Sequence, residues 1–95
     1  MEIVVLGHAR LQPWGDAAFR GILDEFLPLV RLQPGCQAFD VFFGGEDPRD
    51  VAIIERWTDE DALAANLAAP HTTLFLDLIA PWIEGADTPE RARAA

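Results

Sequence analysis

The order in which two hydrophobic periodicities follow one another constrains this fold more than any other feature of the sequence. A two-residue period, typical of strands, occurs in residues 3–9, 36–44 and 51–58. A three-to-four-residue period, typical of an amphipathic helix, occurs after the first of these runs and again after the third. Residues 82–84 add a brief fourth strand. The predicted order is β-α-β-β-α-β, the ferredoxin-like split β-α-β arrangement of the α+β class.

Turn formers and prolines delimit the predicted helices. Asp16 is predicted to be the N-cap of the first helix, and the Pro-Gly pair at 34–35 to stop it. Pro28 lies inside this helix, where it removes a backbone donor and should bend the helix or end its first segment. Thr58, with Asp61 three residues later, resembles a capping box at the head of the second helix.

Pro70 divides the second helical segment into two. The spacing of its apolar residues predicts that the following face inward: Leu63, Leu67, Leu74, Phe75, Leu78 and Ile79. With 95 residues the chain is one domain in size. Residues 1–86 are predicted to form that single α+β domain. Residues 87–95 have little to bury and are predicted to be a flexible C-terminal tail, frayed or helical at the surface.

Two helices can cover only one face of a four-stranded sheet. In the strands predicted at 3–9 and 51–58, however, residues of both parities are apolar at several positions. A second copy of the chain is the expected cover for the remaining face. The sequence therefore predicts a homodimer stacked sheet to sheet.

The amino-acid composition excludes several classes of function. Lys, Ser and Tyr are absent, which excludes a Walker phosphate loop, a serine nucleophile and a lysine Schiff base. Sixteen acidic residues against seven arginines give a net charge of −9. So acidic a chain is unsuited to binding nucleic acid or an anionic membrane surface, and we expect neither as a partner.

The cysteine and histidine content limits metal and redox chemistry. Cys36, the lone cysteine, can form neither an internal disulfide nor a cysteine-rich zinc site. His8 and His71 lie far apart in the sequence, and no metal-ligand spacing includes either of them. We therefore predict no metal site. No basic stretch precedes the first apolar run, as it would in a signal peptide, and a cytoplasmic location is expected.

Two polar residues flank the proline break and are candidates for catalysis. His71 opens a helical turn whose free amide groups disfavour the imidazolium, so it is available as a neutral base. Asn66 could hold a phenolate or carbonyl oxygen. The alternatives are structural: His71 caps or packs at the helix start, and Asn66 bridges the broken backbone. Trp57 either walls a pocket or fills the core, and core filling is favoured for so large a side chain.

Three charged or titratable residues on the predicted strands are candidates for substrate binding. His8 and Arg10 share a strand face, where they could ionise and hold an anionic substrate. Their alternative is an ion pair with Glu55 or Asp40 at a dimer seam. Glu55 lies on a mostly apolar face and is the best candidate for a perturbed carboxylate. Pairing with Arg56 or Arg10 is its simpler explanation and the favoured one.

Three groups of residues, in this order and at these distances, resemble the antibiotic biosynthesis monooxygenase domain family. They are Pro34, Gly35 and Cys36; then Glu55, Arg56 and Trp57 with Asp59 and Glu60; and then Leu67, Ala68, Ala69, Pro70 and His71. The resemblance covers roughly residues 3–80.

The resemblance implies a dimeric α+β barrel. Some members of that family oxygenate phenols, anthrones or quinols without metal or flavin, because the substrate itself supplies the electrons to dioxygen. For this chain the resemblance implies a monooxygenase, an oxidoreductase without a cofactor, that acts on a small aromatic or quinol-like molecule. The alternative is a non-catalytic dimer of the same fold that binds a small hydrophobic ligand.

A haem-degrading branch of the family carries an Asn on the first strand and a Trp and a His ten residues apart in the second helical segment. In this chain the Trp position falls on Asn66 and the His position on Leu76, and the first strand contains no Asn. We therefore predict that haem is not bound as a functional group.

Overall fold

The computed structural model describes residues 1–95, and its elements alternate as the periodicities require. In chain order they are β1 (Ile3–Leu11), α1 (Asp16–Arg31), β2 (Cys36–Phe43), β3 (Asp50–Trp57), α2 (Glu60–Ala68), α3 (Pro70–Ile79), a 3-10 turn (Ala80–Trp82), β4 (Ile83–Ala86) and β5 (Glu90–Ala92). The predicted β-α-β-β-α-β order and the α+β class are confirmed. The broken second helix makes three helices in all.

The sheet is antiparallel, with the strand order β2-β3-β1-β4. Strand β1 pairs with β3 along one edge, from Ile3 opposite Trp57 to Arg10 opposite Asp50. Its other edge is shared, because β4 pairs with residues 9–11 of β1 and β5 with residues 4–6. Gly7 and His8 therefore lie between the two C-terminal strands. The loop that joins β4 to β5 passes beside Gly7 and His8.

The hydrophobic core lies between the inner face of the sheet and the helices. Its side chains come from alternate positions of β1, β2 and β3 and from one side of each helix. The largest of the fully buried side chains are Trp57, Phe19, Leu11, Val30 and Val51. Phe26 stacks on Phe75 with ring centroids 4.0 Å apart, which ties α1 to α3.

Helix α1 differs from the prediction at its start and at Pro28. Gly15, not Asp16, is the N-cap residue. Asp16 is the first helical residue, and its negative charge interacts favourably with the positive end of the helix dipole. The helix does not end at Pro28 but continues to Arg31. Pro28 lies in the last turn, so it costs one backbone hydrogen bond close to the end, while Phe26 and Val30 remain anchored in the core on either side.

Helices α2 and α3 correct the predictions for the second helical segment. The N-cap is Asp59, one residue after Thr58, and its side chain accepts a 2.8 Å hydrogen bond from the backbone N–H of Ala62. Leu63 is buried, but Leu67 is 55% exposed and Asn66 takes its place inside.

The inward side of α3 is narrower than its apolar spacing predicted. Phe75 and Ile79 are buried as expected, with Thr72 beside them, whereas Leu74 and Leu78 are exposed. The chain turns by 62° between the two helices, so the helical phase is reset at Pro70. A single continuous pattern therefore could not assign the inner side of both.

The C-terminal tail lies at the surface as predicted, but it is not helical. Glu90–Ala92 form strand β5 against residues 4–6 of β1. The free edge of β1 provides unpaired backbone groups for such a strand.

No single helix is long and apolar enough to cross a membrane. Only the bent pair Glu60–Ala68 and Pro70–Trp82, taken together, reaches the necessary length and hydropathy.

Candidate functional site

An apolar cleft of about 440 Å³ opens where α3 and the C-terminal strands meet β1. The inner face of the sheet forms its floor, the end of α3 one wall, and the chain from β4 to Pro89 the other. The hydrophobic lining comes mainly from Ala9, Ile53, Leu76, Ile79, Ala80, Ile83 and Ala86.

Small residues on β1 create the space. Gly7 and Ala9 occupy inner-face positions of the strand, where larger side chains would fill the cleft. A Cβ placed on Gly7 would lie 3.7 Å from the Cβ of Ile53, an ordinary contact distance, so the glycine leaves room without being sterically required. The cleft is therefore a property of side-chain size at two alternate positions of one strand.

The polar groups at the cleft are a pair on its rim. His8 Nδ1 lies 3.3 Å from a carboxylate oxygen of Asp87, and the backbone N–H of Asp87 donates to the His8 carbonyl at 3.1 Å. Both side chains are solvent-accessible, with exposed fractions of 52% for His8 and 82% for Asp87. The two side chains are close enough to form an ion pair when the imidazole carries its second proton.

A second, smaller cavity of about 90 Å³ lies between α1 and α3 and contains His71. The imidazole packs against Phe26 with ring centroids 6.0 Å apart. Its Nε2 atom is buried and has no hydrogen-bond partner. The rest of the lining is largely apolar, with Glu25 at the edge. His71 and the 440 Å³ cleft are thus separate features of the molecule.

Asn66 lies in neither cavity. It is 2% exposed, and its Oδ1 accepts a 3.0 Å hydrogen bond from the hydroxyl of Thr72. The bond joins α2 to α3 across Pro70. This geometry is the structural bridge that the sequence offered as one of two roles.

The buried Trp57 and the half-buried Glu55 form a hydrogen-bonded pair on β3. Trp57 is fully buried, as favoured, and its Nε1–H donates to Glu55 Oε1 at 3.0 Å. Burial raises the pKa of Glu55, and the hydrogen bond from Trp57 opposes that shift in part. The favoured pairing of Glu55 with an arginine is wrong, because Arg56 binds Glu2 and Arg10 binds other partners.

Arg10 is engaged by aspartates on the outer side of the sheet. Its guanidinium lies 2.8 Å from Asp47 and 2.5 Å from Asp50. The backbone N–H of Arg49 and the Arg10 guanidinium hold the pKa of Asp47 below its usual range. Arg10 does not line the cleft that His8 borders.

Of the six residues selected from the sequence, only His8 borders the cleft. The structure adds Asp87, which lies in the tail expected to be flexible. No group of three His, Cys, Asp or Glu side chains comes together in a metal-binding arrangement. The signal for the cleft was present in the sequence as two small residues, Gly7 and Ala9, on one parity of an otherwise bulky strand.

Comparison with known proteins places this geometry in a family context. The antibiotic biosynthesis monooxygenase family profile matches residues 2–77. A protein of Mycobacterium tuberculosis, Rv0793, which carries a provisional monooxygenase name, is 31% identical over 65 residues. That segment is 66% of this chain and 63% of Rv0793.

Solved structures have the same fold along almost the whole chain. The structure of Rv0793 superposes with a TM-score of 0.89 at 17% identity, covering 100% of this chain and 96% of the other. An antibiotic biosynthesis monooxygenase crystal structure gives a TM-score of 0.91 at 26% identity, with 98% of each chain covered. A conserved protein of Methanosarcina mazei gives 0.92 at 18% identity, covering 100% and 94%.

Proposed function

This chain belongs to the antibiotic biosynthesis monooxygenase family, and from that premise we propose that it is a cofactor-independent monooxygenase acting on a small aromatic or quinol-like molecule. The observation that carries the proposal is the apolar cleft of about 440 Å³ with the His8–Asp87 pair at its rim. Pockets of about 300–1,000 Å³ with few polar groups are typical of small-molecule sites.

The proposed chemistry places the electrons in the substrate. Removal of a proton from a phenolic or anthrone-like compound gives an electron-rich anion that can reduce dioxygen. One oxygen atom then forms a bond to a substrate carbon and the other leaves as water: the CH₂ group of an anthrone and O₂ become a carbonyl and H₂O, and a hydroquinone and O₂ become a hydroxyquinone and H₂O. The protein binds the aromatic body in the cleft and accepts the proton.

His8 is the proposed base; its side chain leaves β1 on the outer face, with that of Leu6, beside the stretch of strand edge between β4 and β5 that borders the cleft, so the substrate hydroxyl would have to extend past that edge. Asp87 lies next to Nδ1, and Nε2 is the atom proposed to take the substrate proton. The small cavity at His71 is a second location for the same role, because its unpartnered Nε2 would find a partner in a bound hydroxyl. In that case Asn66 would act only by holding α3 in place.

Oxygen consumption tests the proposal. A panel of hydroquinones and anthrones is supplied to the purified protein with and without a chelator. The proposal expects uptake with at least one of them that the chelator leaves unchanged. His8→Ala should lower turnover on the order of 100-fold, whereas His71→Ala should retain it. If His71→Ala lowers turnover and His8→Ala retains it, the base lies in the cavity between α1 and α3. No oxygen uptake by the parent protein with any compound would refute the oxygenase.

A non-catalytic binding role for the same cleft is the second candidate. The observation that favours it is the exposure of the rim pair, since a base in contact with water is less effective than one in a closed site. Tight binding of aromatic compounds without any oxygen uptake would distinguish this role from the first.

We also propose that two copies pack through the outer face of the sheet. No helix covers that face, and it presents Leu6 of β1 at 39% exposure and Phe42 of β2 at 52% exposure. Between these two strands lies β3, whose partly buried Ile54 is on the same face. His8 shares the parity of Leu6, so a second copy would also shield the rim pair from water. Sedimentation of the parent as a stable monomer at micromolar concentration would count against this arrangement.

A further inference from the structure

We infer that the cleft selects aromatic molecules that enter uncharged, and that it discriminates against those that carry a carboxylate. The inference rests on the proposed function and names the substrate class of that same site. It arises from where the cationic side chains of this chain lie, not from the shape of the cleft.

No permanent cation borders the cleft. The chain has no lysine and seven arginines, and none of the arginines lines it. Arg10, which could have held an anion, is bound by Asp47 and Asp50 on the outer side. Arg49 lies at the end of β1, where its guanidinium donates to the Leu11 carbonyl and pairs with Glu84.

The other five arginines are also committed away from the cleft. Arg20 lies over the ring of Phe43 at 3.6 Å, and Arg31 donates to the Phe39 carbonyl at 3.0 Å. The remaining three contact residues near the chain ends or on α2, as follows: Arg56 with Glu2, Arg91 with Glu60, and Arg93 with Met1. An anion in the cleft would therefore find no ready countercharge.

The ionisable rim itself repels an anion. Asp87 is the charged side chain on the lining, and His8, the one group there that can become cationic, is already next to it. Transfer of an unpaired carboxylate from water to an apolar surface is strongly unfavourable. The net charge of −9 adds a repulsive field at longer range. A phenol, in contrast, enters neutral and ionises only when it meets His8.

Binding under argon tests the inference apart from turnover. The probes are a dihydroxynaphthoic acid and the corresponding carboxamide, which have nearly the same shape and differ by one charge. Titration calorimetry at neutral pH should show the carboxamide binding on the order of 100-fold more tightly than the acid.

Two arginine substitutions supply the gain of function and its control. Leu76 lines the cleft and is 52% exposed, so Leu76→Arg should not disturb the core and should raise the affinity of the acid at least about 10-fold relative to the carboxamide. Leu67→Arg is the matched control, because Leu67 is 55% exposed on α2 and outside the cleft. It should leave the ratio of the two affinities unchanged.

Each result decides between the two proposals. Equal or tighter binding of the acid by the parent protein would overturn the selectivity and leave the oxygenase standing. Preferential binding of the carboxamide, with no oxygen uptake by the parent protein with any of the hydroquinones or anthrones, would support the selectivity and refute the oxygenase. Failure of both probes to bind would overturn the selectivity, and so would an equal change in the ratio of the two affinities in the Leu76 and Leu67 variants. Oxygen uptake with the panel of hydroquinones and anthrones then decides the oxygenase separately.

Discussion

Removal of the Asn66 amide should destabilise the fold at the break between α2 and α3. The Thr72 hydroxyl donates a 3.0 Å hydrogen bond to Asn66 Oδ1. Since Asn66 is 2% exposed and Thr72 is 5% exposed, water could not replace the lost acceptor, and the hydroxyl would be left unpaired. A buried polar group left unpaired costs about 1–3 kcal/mol. For a domain of this size each 1 kcal/mol lowers the melting temperature by about 4–8 °C.

The assay is chemical and thermal unfolding of Asn66→Ala, Thr72→Val and the double variant. Because the two side chains share one hydrogen bond, the double variant should be less destabilised than the sum of the singles, by about 0.5–3 kcal/mol. Thr73→Val is the control: Thr73 is exposed and its hydroxyl makes only a 3.4 Å contact with the Ala69 carbonyl. We expect that variant to change the free energy of unfolding by less than about 0.5 kcal/mol.

Additive effects of Asn66→Ala and Thr72→Val would refute the bridging role. So would an Asn66→Ala variant that unfolds like the parent but no longer consumes oxygen, since that result would place the amide at the substrate.

Three further perturbations test other parts of the account. Because burial raises the pKa of Glu55 in the folded state above its unfolded value, its negative charge at neutral pH destabilises the fold, and protonation at lower pH removes that cost. Glu55→Gln should therefore raise the melting temperature at pH 7, by an amount that shrinks toward pH 4.5. A difference in melting temperature that does not depend on pH would contradict this. Gly35 has φ +84°, and an added Cβ would lie 2.4 Å from the Cβ of Ala62, so Gly35→Ala should lower the free energy of unfolding, measured in urea, by about 1–3 kcal/mol. Gly21→Ala is the control: Gly21 is an open helical position, and the substitution should raise the free energy of unfolding by up to about 1 kcal/mol. Ala9→Leu should fill the cleft and weaken carboxamide binding at least about 10-fold without loss of stability; unchanged affinity would show that ligands bind elsewhere.

The sequence predicted the sheet and the first helix because no break interrupts the hydrophobic period within each of these elements. The core residues of β1 and β3 lie at alternate positions, although Val4 is also buried, and Phe19, Leu23, Phe26 and Val30 recur on one side of α1. The same reasoning misplaced Leu67 and Asn66, since Pro70 turns the chain and resets the phase of the next helix.

The candidate site was harder to predict, because its parts are joined by tertiary contacts alone. Asp87 meets His8 only because β4 and β5 share one edge of β1 and carry their connecting loop past its midpoint. No spacing in the sequence encodes that approach. Arg10 likewise binds two aspartates instead of a ligand: Asp47, from the turn between β2 and β3, and Asp50, its cross-strand partner on β3.

The location of the bound aromatic molecule is the central claim, and amide chemical-shift mapping by NMR tests it most directly. The dihydroxynaphthalene carboxamide is titrated into the labelled protein under argon. We predict that the largest shifts occur at Gly7, Ala9 and Ala86, around the 440 Å³ cleft. Shifts concentrated at His71 and Leu74, around the cavity between α1 and α3, would contradict the account.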